Sequence, residues 1–521
     1  MSSHINIADT WSGRHTFYED SVACRPRANA RFYQTLVRRY YSYLVPPGAS
    51  VLEMGCGLGD LLAEVKPSRG IGVDFSAKTV ALARERHPEL EFHVGEAAAW
   101  GKSGNREAGK AETNGAGWGS GFSNFSISAF PDYILLADLV NDLRDVQGVF
   151  DHLRSLSSAH TRLVLNFHNN LWRPVLALAE WIGAKAPSLV QNWLSTNDVK
   201  NLLNLSGWEV IKEEHRILWP FRTLLLDSLL NRWLAPFLPH CCLSIFLVAR
   251  PRPGSDRSAA LYSAIPGREP KGEYNAALRS VSDFSCSVII PARNEAGNIE
   301  AAVLRTPELG LGTELIFVEG HSTDDTWEEL RRIDRKYPQR NIKVLLQRGK
   351  GKGDAVRAGF EVATGDLLFI LDADLTVPPE ELPKFYEAAR SGTAEFINGV
   401  RLVYPMEHEA MRFLNMIANK IFGLAFSWLL GQQLKDTLCG TKVLFRADYE
   451  RLARNRSYFG EFDPFGDFDL LFGAARLNLR MIDLPIRYRA RTYGDTNIRR
   501  WRHGWLLLRM VLFAARRLKF L

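Results

Sequence analysis

Two stretches of this chain alternate short, nearly continuous apolar runs with longer amphipathic segments, and text of a different character separates them. In the first stretch, apolar runs at 50–54, 70–74, 91–94, 132–137, 162–167, 208–214 and 243–249 have the length and branching of buried strands. In the second they fall at 286–290, 314–318, 342–346, 367–371 and 395–401. Strand and helix signals in alternation predict a mixed α/β sheet in each. No internal repeat relates the two, so different domains are expected over 49–250 and 284–521. An aromatic-rich helical arm is expected over 1–48, ending at Pro46-Pro47-Gly48. Residues 101–126 are rich in Gly, Ser, Asn and Lys with little apolar periodicity, which predicts a surface insertion. Residues 251–283 have linker composition, rich in Pro, Gly, Ser, Arg and Glu.

Composition narrows the class. At 521 residues, with 46% hydrophobic and 24% charged residues, the chain reads as multidomain and globular. Its six cysteines show neither metal-ligand spacing nor a disulfide rhythm, which suits a reducing cytoplasm. Met1-Ser2-Ser3-His4 opens no basic-then-apolar segment, so no secretory signal is expected. The net charge of +7 is concentrated at the end: residues 499–521 carry seven Lys or Arg and no acid, leaving the rest near neutral. A nucleic-acid surface is therefore not expected. Residues 217–240 are apolar but broken by Pro220, Pro236 and Pro239, which predicts a pocket cap or domain interface rather than a membrane span.

The first stretch carries a nucleotide-binding pattern. Val51-Leu52-Glu53-Met54 runs into Gly55, Gly57 and Gly59, which lack the side chains that would keep a ligand away from the backbone. Asp74, at the end of the second predicted strand, is placed to accept ribose hydroxyls, and Glu96, after the third, to reach an adenine. With these residues, the segment from about 31 to 250 resembles the class I S-adenosylmethionine-dependent methyltransferases. A dinucleotide-binding dehydrogenase, the nearest competitor, usually has Gly where Glu53 stands. The resemblance implies a Rossmann-like sheet. In it, Glu53 to Gly59 surround the amino-acid part of S-adenosyl-L-methionine, Asp74 holds its ribose and Glu96 lies near its base, where the family more often has Asp. The methyl acceptor is less visible. The fourth and fifth strands end in Asp138 to Asn141 and Asn166 to Asn170, and His168 is a candidate base or simply a polar strand end.

In the second stretch, Pro291-Ala292-Arg293-Asn294-Glu295 follows the first strand, and Glu319 ends the next, where it can accept from a uracil or guanine N–H. Gly349 to Gly353 form a cationic loop with Lys352 suited to a diphosphate, and Asp372 and Asp374 place two carboxylates at a strand end. Hard divalent cations take such oxygen ligands together with substrate phosphates. In this order the residues resemble the inverting glycosyltransferases of GT-A fold, those like dolichyl-phosphate mannose synthase and bacterial polyprenyl-phosphate sugar transferases. The resemblance implies nucleotide-sugar binding by Pro291, Arg293, Asn294, Glu295, Glu319 and Lys352, and Mg²⁺ or Mn²⁺ on Asp372 and Asp374. It also implies an acceptor region at 436–442. Relatives often have Asp for Glu319 and Gln for Thr376.

A lipid-phosphate acceptor is already anionic and needs no base, and Arg401, Arg412 and Arg491 are candidates to hold it. A sugar hydroxyl needs one, for which Asp467 or Asp469 is the candidate; an N-cap and an ion-pair partner is the structural alternative for these two. At the end of the chain Arg502, Arg509 and Arg516 repeat every seven residues beside Trp501, Trp505, Leu508, Leu512 and Ala515, the pattern of an amphipathic helix in an anionic interface.

Together these features predict a cytoplasmic enzyme at the inner membrane face. It would transfer sugar from a UDP- or GDP-sugar to a polyprenyl phosphate or a glycan, and methylate a related glycan or lipid intermediate. Two alternatives stand beside this reading: transfer to a polysaccharide hydroxyl, and a first domain that binds or scaffolds without catalysis.

Overall fold

The computed structural model describes residues 28–97, 100, 130–182, 191–223, 225–253, 283–401, 413–454, 467–489, 491, 493 and 500–520. The expected insertion at 101–126 and nearly all of the expected linker lie outside these residues, as does Arg412. The chain forms two compact units, Met1–Arg252 and Pro253–Leu521.

The first unit is built on a seven-stranded sheet of order β3-β2-β1-β4-β5-β7-β6. Its strands are β1 (Ser50–Met54), β2 (Arg69–Asp74), β3 (Glu91–Val94), β4 (Tyr133–Leu136), β5 (Arg162–His168), β6 (Trp208–Arg216) and β7 (Ser244–Pro251). The central strands are parallel and buried on both faces, which is why Val51 to Met54 and Tyr133 to Leu136 read as continuous apolar runs. β7 lies antiparallel between β5 and β6. Strand order reverses at β1, which pairs with β2 on one side and β4 on the other, so a crevice opens between their carboxyl ends. Helix Ala28–Leu44 is tied to the sheet by Tyr41, whose hydroxyl donates to the Leu136 carbonyl (3.0 Å) and to Asn166 Oδ1 (2.9 Å). Trp208 is fully buried and donates its indole N–H to the Phe150 carbonyl at 3.0 Å, so its one polar atom is satisfied. Helix Thr196–Leu205 begins in a reciprocal capping box between Ser195 and Asp198.

Within 217–240 the chain makes short turns of helix, Leu226–Ser228, Leu229–Leu234, Ala235–Phe237 and Pro239–Cys241, consistent with its spaced prolines. Leu225, Leu229 and Phe237 there are 84%, 52% and 63% exposed, so these side chains cover no pocket of the first unit.

The second unit also has seven strands, in the order β10-β9-β8-β11-β13-β12-β14. They are β8 (Cys286–Ala292), β9 (Thr313–Glu319), β10 (Asn341–Leu346), β11 (Leu367–Ile370), β12 (Phe396–Val400), β13 (Lys442–Phe445) and β14 (Met481–Pro485). Five were expected. β13 is four residues long and runs antiparallel between β11 and β12, and β14 carries Asp483 and Pro485. Pairing with neighbouring strands, on both sides for β13 and at the sheet edge for β14, supplies what their own sequence does not announce. The switch in strand order here falls between β8 and β11, which places Ala292 and Leu371 beside the same crevice.

Both units are thus α/β, the first a Rossmann-like sheet and the second a GT-A sheet. Among the described residues no helix is long and apolar enough to cross a membrane. Helix Phe413–Leu430, the most apolar, buries Asn419, Phe426, Leu429 and Leu430, and Phe426 stacks on Phe472 with ring centroids 5.5 Å apart.

Candidate active sites

At the β1–β4 crevice the chain leaves β1 through three residues of positive φ, Gly55 (71°), Gly57 (52°) and Gly59 (77°). Gly59 also has no room for a side chain: an added Cβ would lie 2.5 Å from the Phe92 ring. Asp74, at the tip of β2, holds this loop. One of its oxygens accepts from the Gly57 N–H (3.0 Å) and the other from the Ser76 N–H (3.0 Å). The loop borders a cavity of about 880 Å³ that is lined by Gly55, Gly57, Asp74 and Glu96 from the β1–β3 side and by Asp138 and Asp142 from beyond β4. That volume accommodates a ligand of nucleoside size. Glu53 does not line the cavity. It is 2% exposed within β1, its Oε2 has no hydrogen-bond partner, and burial, then the nearby Asp74 charge, push its carboxyl well above the ordinary value.

A second polar group stands beside the cavity, gathered from four elements. Tyr33, on helix Ala28–Leu44, donates its hydroxyl to Asp138 Oδ1 (2.8 Å) and shares hydrogen bonds with Ser244 Oγ (2.9 Å) and His168 Nε2 (3.3 Å). Asn166 donates to the same Asp138 oxygen at 2.5 Å and accepts from the Asp138 N–H at 3.0 Å. Tyr33 and Ser244 escaped the sequence reading because they stand 135 and 76 residues from His168 and belong to no local motif.

In the second unit the residues after β8 fold against the turn after β9. Asn294 takes a positive φ of 58°, its N–H donates to Ser322 Oγ (3.0 Å) and its Oδ1 accepts from the Thr323 N–H (2.8 Å). Pro291 is half-buried at the end of β8 and Arg293 is exposed. Glu319 is 3% exposed, and its two oxygens accept from the backbone N–H groups of Ser322 (2.5 Å) and His321 (3.1 Å). Its carboxylate therefore shapes the β9 turn, a use its position at a strand end did not reveal. The Gly-Lys loop is braced: Asp354 Oδ2 accepts from the Gly349 N–H (2.9 Å) and from Gln347 (3.0 Å).

The two strand-end carboxylates each face a cation. Lys352 Nζ lies 2.5 Å from Asp372 Oδ1, and against the effect of burial this ammonium holds the Asp372 carboxyl below its ordinary value. Asp374 Oδ1 accepts from the Thr376 N–H (3.1 Å) and hydroxyl (2.8 Å), while its Oδ2 accepts from Arg491 at 2.9 Å. The same Arg491 nitrogen is 3.1 Å from Glu295, whose carboxyl burial pushes up despite that contact. Gly440 leaves room for the pair: an added Cβ would overlap both the Asp372 carboxylate and the Lys352 amine. Asp372 and Asp374 supply hard oxygen donors of the type a divalent cation takes, each paired with a cation that such an ion would displace.

Arg401 does not join this group. It is bidentate to the buried Asp436 (Nε to Oδ2 2.7 Å, Nη2 to Oδ1 2.9 Å), and Asn419 adds a third donor at 2.8 Å. Burial notwithstanding, Arg401 holds the Asp436 carboxyl below its ordinary value. Of the two candidate bases, Asp469 is 8% exposed in the first turn of helix Asp467–Arg476, and the Asp467 side chain lies outside the described residues.

Residues 27–213 match the family model of a methyltransferase domain, and residues 287–458 match Glycosyl transferase family 2. The chain joins a methyltransferase domain to a family 2 glycosyltransferase domain.

Among curated relatives, a dolichol-phosphate mannosyltransferase of Pyrococcus furiosus is 41% identical over 110 residues, 20% of this chain and 30% of that one. An undecaprenyl-phosphate 4-deoxy-4-formamido-L-arabinose transferase of Edwardsiella ictaluri is 38% identical over 224 residues, 42% of this chain and 65% of that one. The chain thus spans less than two thirds of the length of either relative. A solved glucosyl-3-phosphoglycerate synthase of Mycobacterium tuberculosis aligns at 18% identity and TM-score 0.33 over 49% of this chain and 86% of that one, too distant to bear on the chemistry.

Proposed function

We propose that the second unit transfers a sugar from a nucleotide-sugar to a polyprenyl phosphate, and that the first uses S-adenosyl-L-methionine to methylate a related glycan or lipid intermediate. The observation that carries the first part is the paired arrangement at the β11 end, with Asp372 against Lys352 and Asp374 against Arg491. Two of the curated relatives bear names that specify a dolichol or undecaprenyl phosphate, which supports the same acceptor class here.

Asp372 and Asp374 would hold Mg²⁺ or Mn²⁺, which when bound offsets the charge of the nucleoside diphosphate. Among the described residues no third His, Cys, Asp or Glu converges on them, so phosphate oxygens and water would complete the ligand set. Pro291, Arg293, Asn294 and Glu295 border the nucleotide, and Lys352 is poised to move from Asp372 to the diphosphate. An acceptor phosphate needs no base, and Arg491 is the described cation best placed to orient it. Arg401 acts indirectly, by fixing Asp436 at the start of the acceptor segment. The basic C-terminal helix would hold the enzyme at the cytoplasmic face of an anionic membrane.

In the first unit, the glycine loop at 55–59, Asp74 and Glu96 would hold the cofactor. Glu53, buried in β1, would act on the site only from beneath the loop. The test is mass spectrometry of lipid products formed by the full chain from undecaprenyl phosphate, S-adenosyl-L-methionine and a panel of UDP- and GDP-sugars. A lipid-phosphate hexose carrying the donor's sugar is expected. Its absence with every donor would end the lipid-phosphate reading.

A further inference from the structure

The cavity of the first unit has an end that the cofactor reading leaves unused. Beyond β4 its wall is Asp138, Leu139, Asp142 and Leu143. Asp138 adopts a positive φ of 52°, a conformation that costs energy for a non-glycine residue and is held only where the surroundings fix it. Tyr33 and Asn166 both donate to Oδ1, at 2.8 and 2.5 Å, and the Asp138 N–H is taken by Asn166 Oδ1 at 3.0 Å. Among the described residues no donor reaches Oδ2, and the side chain is 32% exposed. Oδ1 is therefore held by two donors, on a residue that lines the cavity.

Resting on the cofactor reading above, the geometry points to Asp138 as the group that receives the methyl acceptor, and to a hydroxyl as the acceptor's nucleophile. A carboxylate oxygen at that point hydrogen-bonds a neutral O–H and raises its nucleophilicity. An amine in the same place would be held as its ammonium ion, without the lone pair it needs. A carboxylate acceptor would meet Asp138 and Asp142 across the same wall. Of the four arginines that line the cavity, Arg38 and Arg86 are drawn to Asp60 (3.5 and 3.2 Å), while Arg31 and Arg144 border the same space, so the discrimination against a carboxylate rests on the two aspartates of this wall and is decided by where the label is found.

In the step, the acceptor oxygen forms a bond to the methyl carbon, the carbon–sulfur bond breaks with its electron pair moving to sulfur, and the hydroxyl proton passes to Asp138 Oδ2. Solvent then removes that proton. Tyr33 and His168 are positioning residues: Tyr33 links Asp138 Oδ1 to His168 Nε2, which is itself 4.0 Å from the carboxylate. The product is a methyl ether.

The decisive variant is Asp138→Asn, because Asn tolerates positive φ well and its amide oxygen can still accept from Tyr33 and Asn166. Calorimetry with S-adenosyl-L-methionine on the full chain separates the two levels of the reading. Lack of binding by the wild type would remove the cofactor reading itself. With binding established, ¹³C-methyl S-adenosyl-L-methionine is offered with methyl glycosides and with the undecaprenyl-phosphate sugars formed in the same mixture, and the labelled carbon is located by NMR. An O–CH₃ product is expected, with kcat lowered about 100-fold or more in Asp138→Asn and cofactor affinity changed less than about threefold. A methyl on nitrogen or a carboxylate, no hydroxyl in the panel methylated, or an unimpaired Asp138→Asn would each overturn the inference.

Discussion

Lys352 Nζ and Asp372 Oδ1 stand 2.5 Å apart at the mouth of the second unit's crevice, brought together by a helix N-terminus and a strand end. A divalent ion on Asp372 would compete with Lys352 for the same carboxylate, and releasing that amine frees a cation for the donor's diphosphate. Asp372→Ala and Asp374→Ala are each expected to lower sugar transfer by about 10²–10³-fold, the range for loss of one preorganised electrostatic contact. Chelation should abolish transfer and added Mn²⁺ or Mg²⁺ restore it, read with a radiolabelled nucleotide-sugar. Full activity in both variants would remove the metal assignment.

Gly440 tests the same space from the other side. A Cβ there would overlap the Asp372 carboxylate and the Lys352 amine, so one of them must move. Gly440→Ala should therefore cut transfer by about 100-fold while leaving the fold intact, since a displacement of about 1 Å at reacting groups has that scale. The readouts are the transfer rate and the thermal midpoint. A large loss of midpoint would instead mark the position as structural.

Arg401 and Arg491 should fail in different ways. Removing Arg401 strands the buried Asp436 carboxylate, and breaking one side of a buried pair costs about 3–5 kcal/mol. Arg401→Ala should unfold at lower denaturant, whereas Arg491→Ala, from a half-buried position, should chiefly lose turnover. The pH dependence has a definite sign. Asp436 is depressed in the folded state, so its contribution is complete above the unfolded carboxyl value of about 3.9 and is lost as pH falls through the lower folded value. Denaturation of wild type and Asp436→Asn between pH 6 and 2 should show the two curves converging at the acid end.

Glu53 offers the opposite sign. Its folded carboxyl is raised, chiefly by burial, so stability is lost as pH climbs from the ordinary carboxyl range toward the elevated folded value. Glu53→Gln should therefore stabilise the cofactor-free protein near neutral pH, by about 1–3 kcal/mol if the amide finds a partner. If Glu53 supports the glycine loop electrostatically, the same variant should weaken S-adenosyl-L-methionine binding. Denaturant unfolding and calorimetry report the two effects separately, and destabilisation at neutral pH would contradict the first.

Much of this was legible in the sequence, and the limit is physical. The parallel strands are buried on both faces, so Val51 to Met54 and Leu367 to Ile370 announce themselves as apolar runs, and Gly55 to Gly59 mark a turn whose positive φ values favour glycine. β13 and β14 were invisible because pairing with neighbouring strands, on both sides for β13 and at the sheet edge for β14, makes them strands. The Tyr33–Asp138 hydrogen bond spans 105 residues, and nothing local to Tyr33 distinguishes it from the structural tyrosines Tyr40 and Tyr41 on the same helix. Arg401 shows the converse limit: its place near the site suggests a phosphate ligand, and nothing local to it announces the bidentate pair with Asp436 that the structure adds.

The C-terminal helix Arg500–Leu518 carries a final prediction. Met510, Ala514, Ala515 and Leu518 face inward, while Trp505 (63% exposed), Leu508 (42%) and Leu512 (56%) lie one or two turns apart on an outward face. Ala515, expected on the outward apolar stripe, is buried instead; of that stripe the described side chains are Trp505, Leu508 and Leu512, and the Trp501 side chain lies outside them. Arg509, Arg516 and Arg517 are exposed on the same helix. An apolar stripe flanked by arginines gains from insertion into an anionic bilayer surface through burial and through charge. Leu508→Asp with Leu512→Asp removes two side chains that contribute about 1.5–3 kcal/mol each when fully buried, and adds two charges of the wrong sign. The double variant should therefore bind phosphatidylglycerol vesicles at least about 100-fold more weakly in a sedimentation assay, while its unfolding midpoint stays near wild type because neither residue is in the core. Raising salt should weaken the wild type through its arginines and leave the variant's residual binding low. Equal vesicle binding by wild type and variant would show that this face does not meet the membrane.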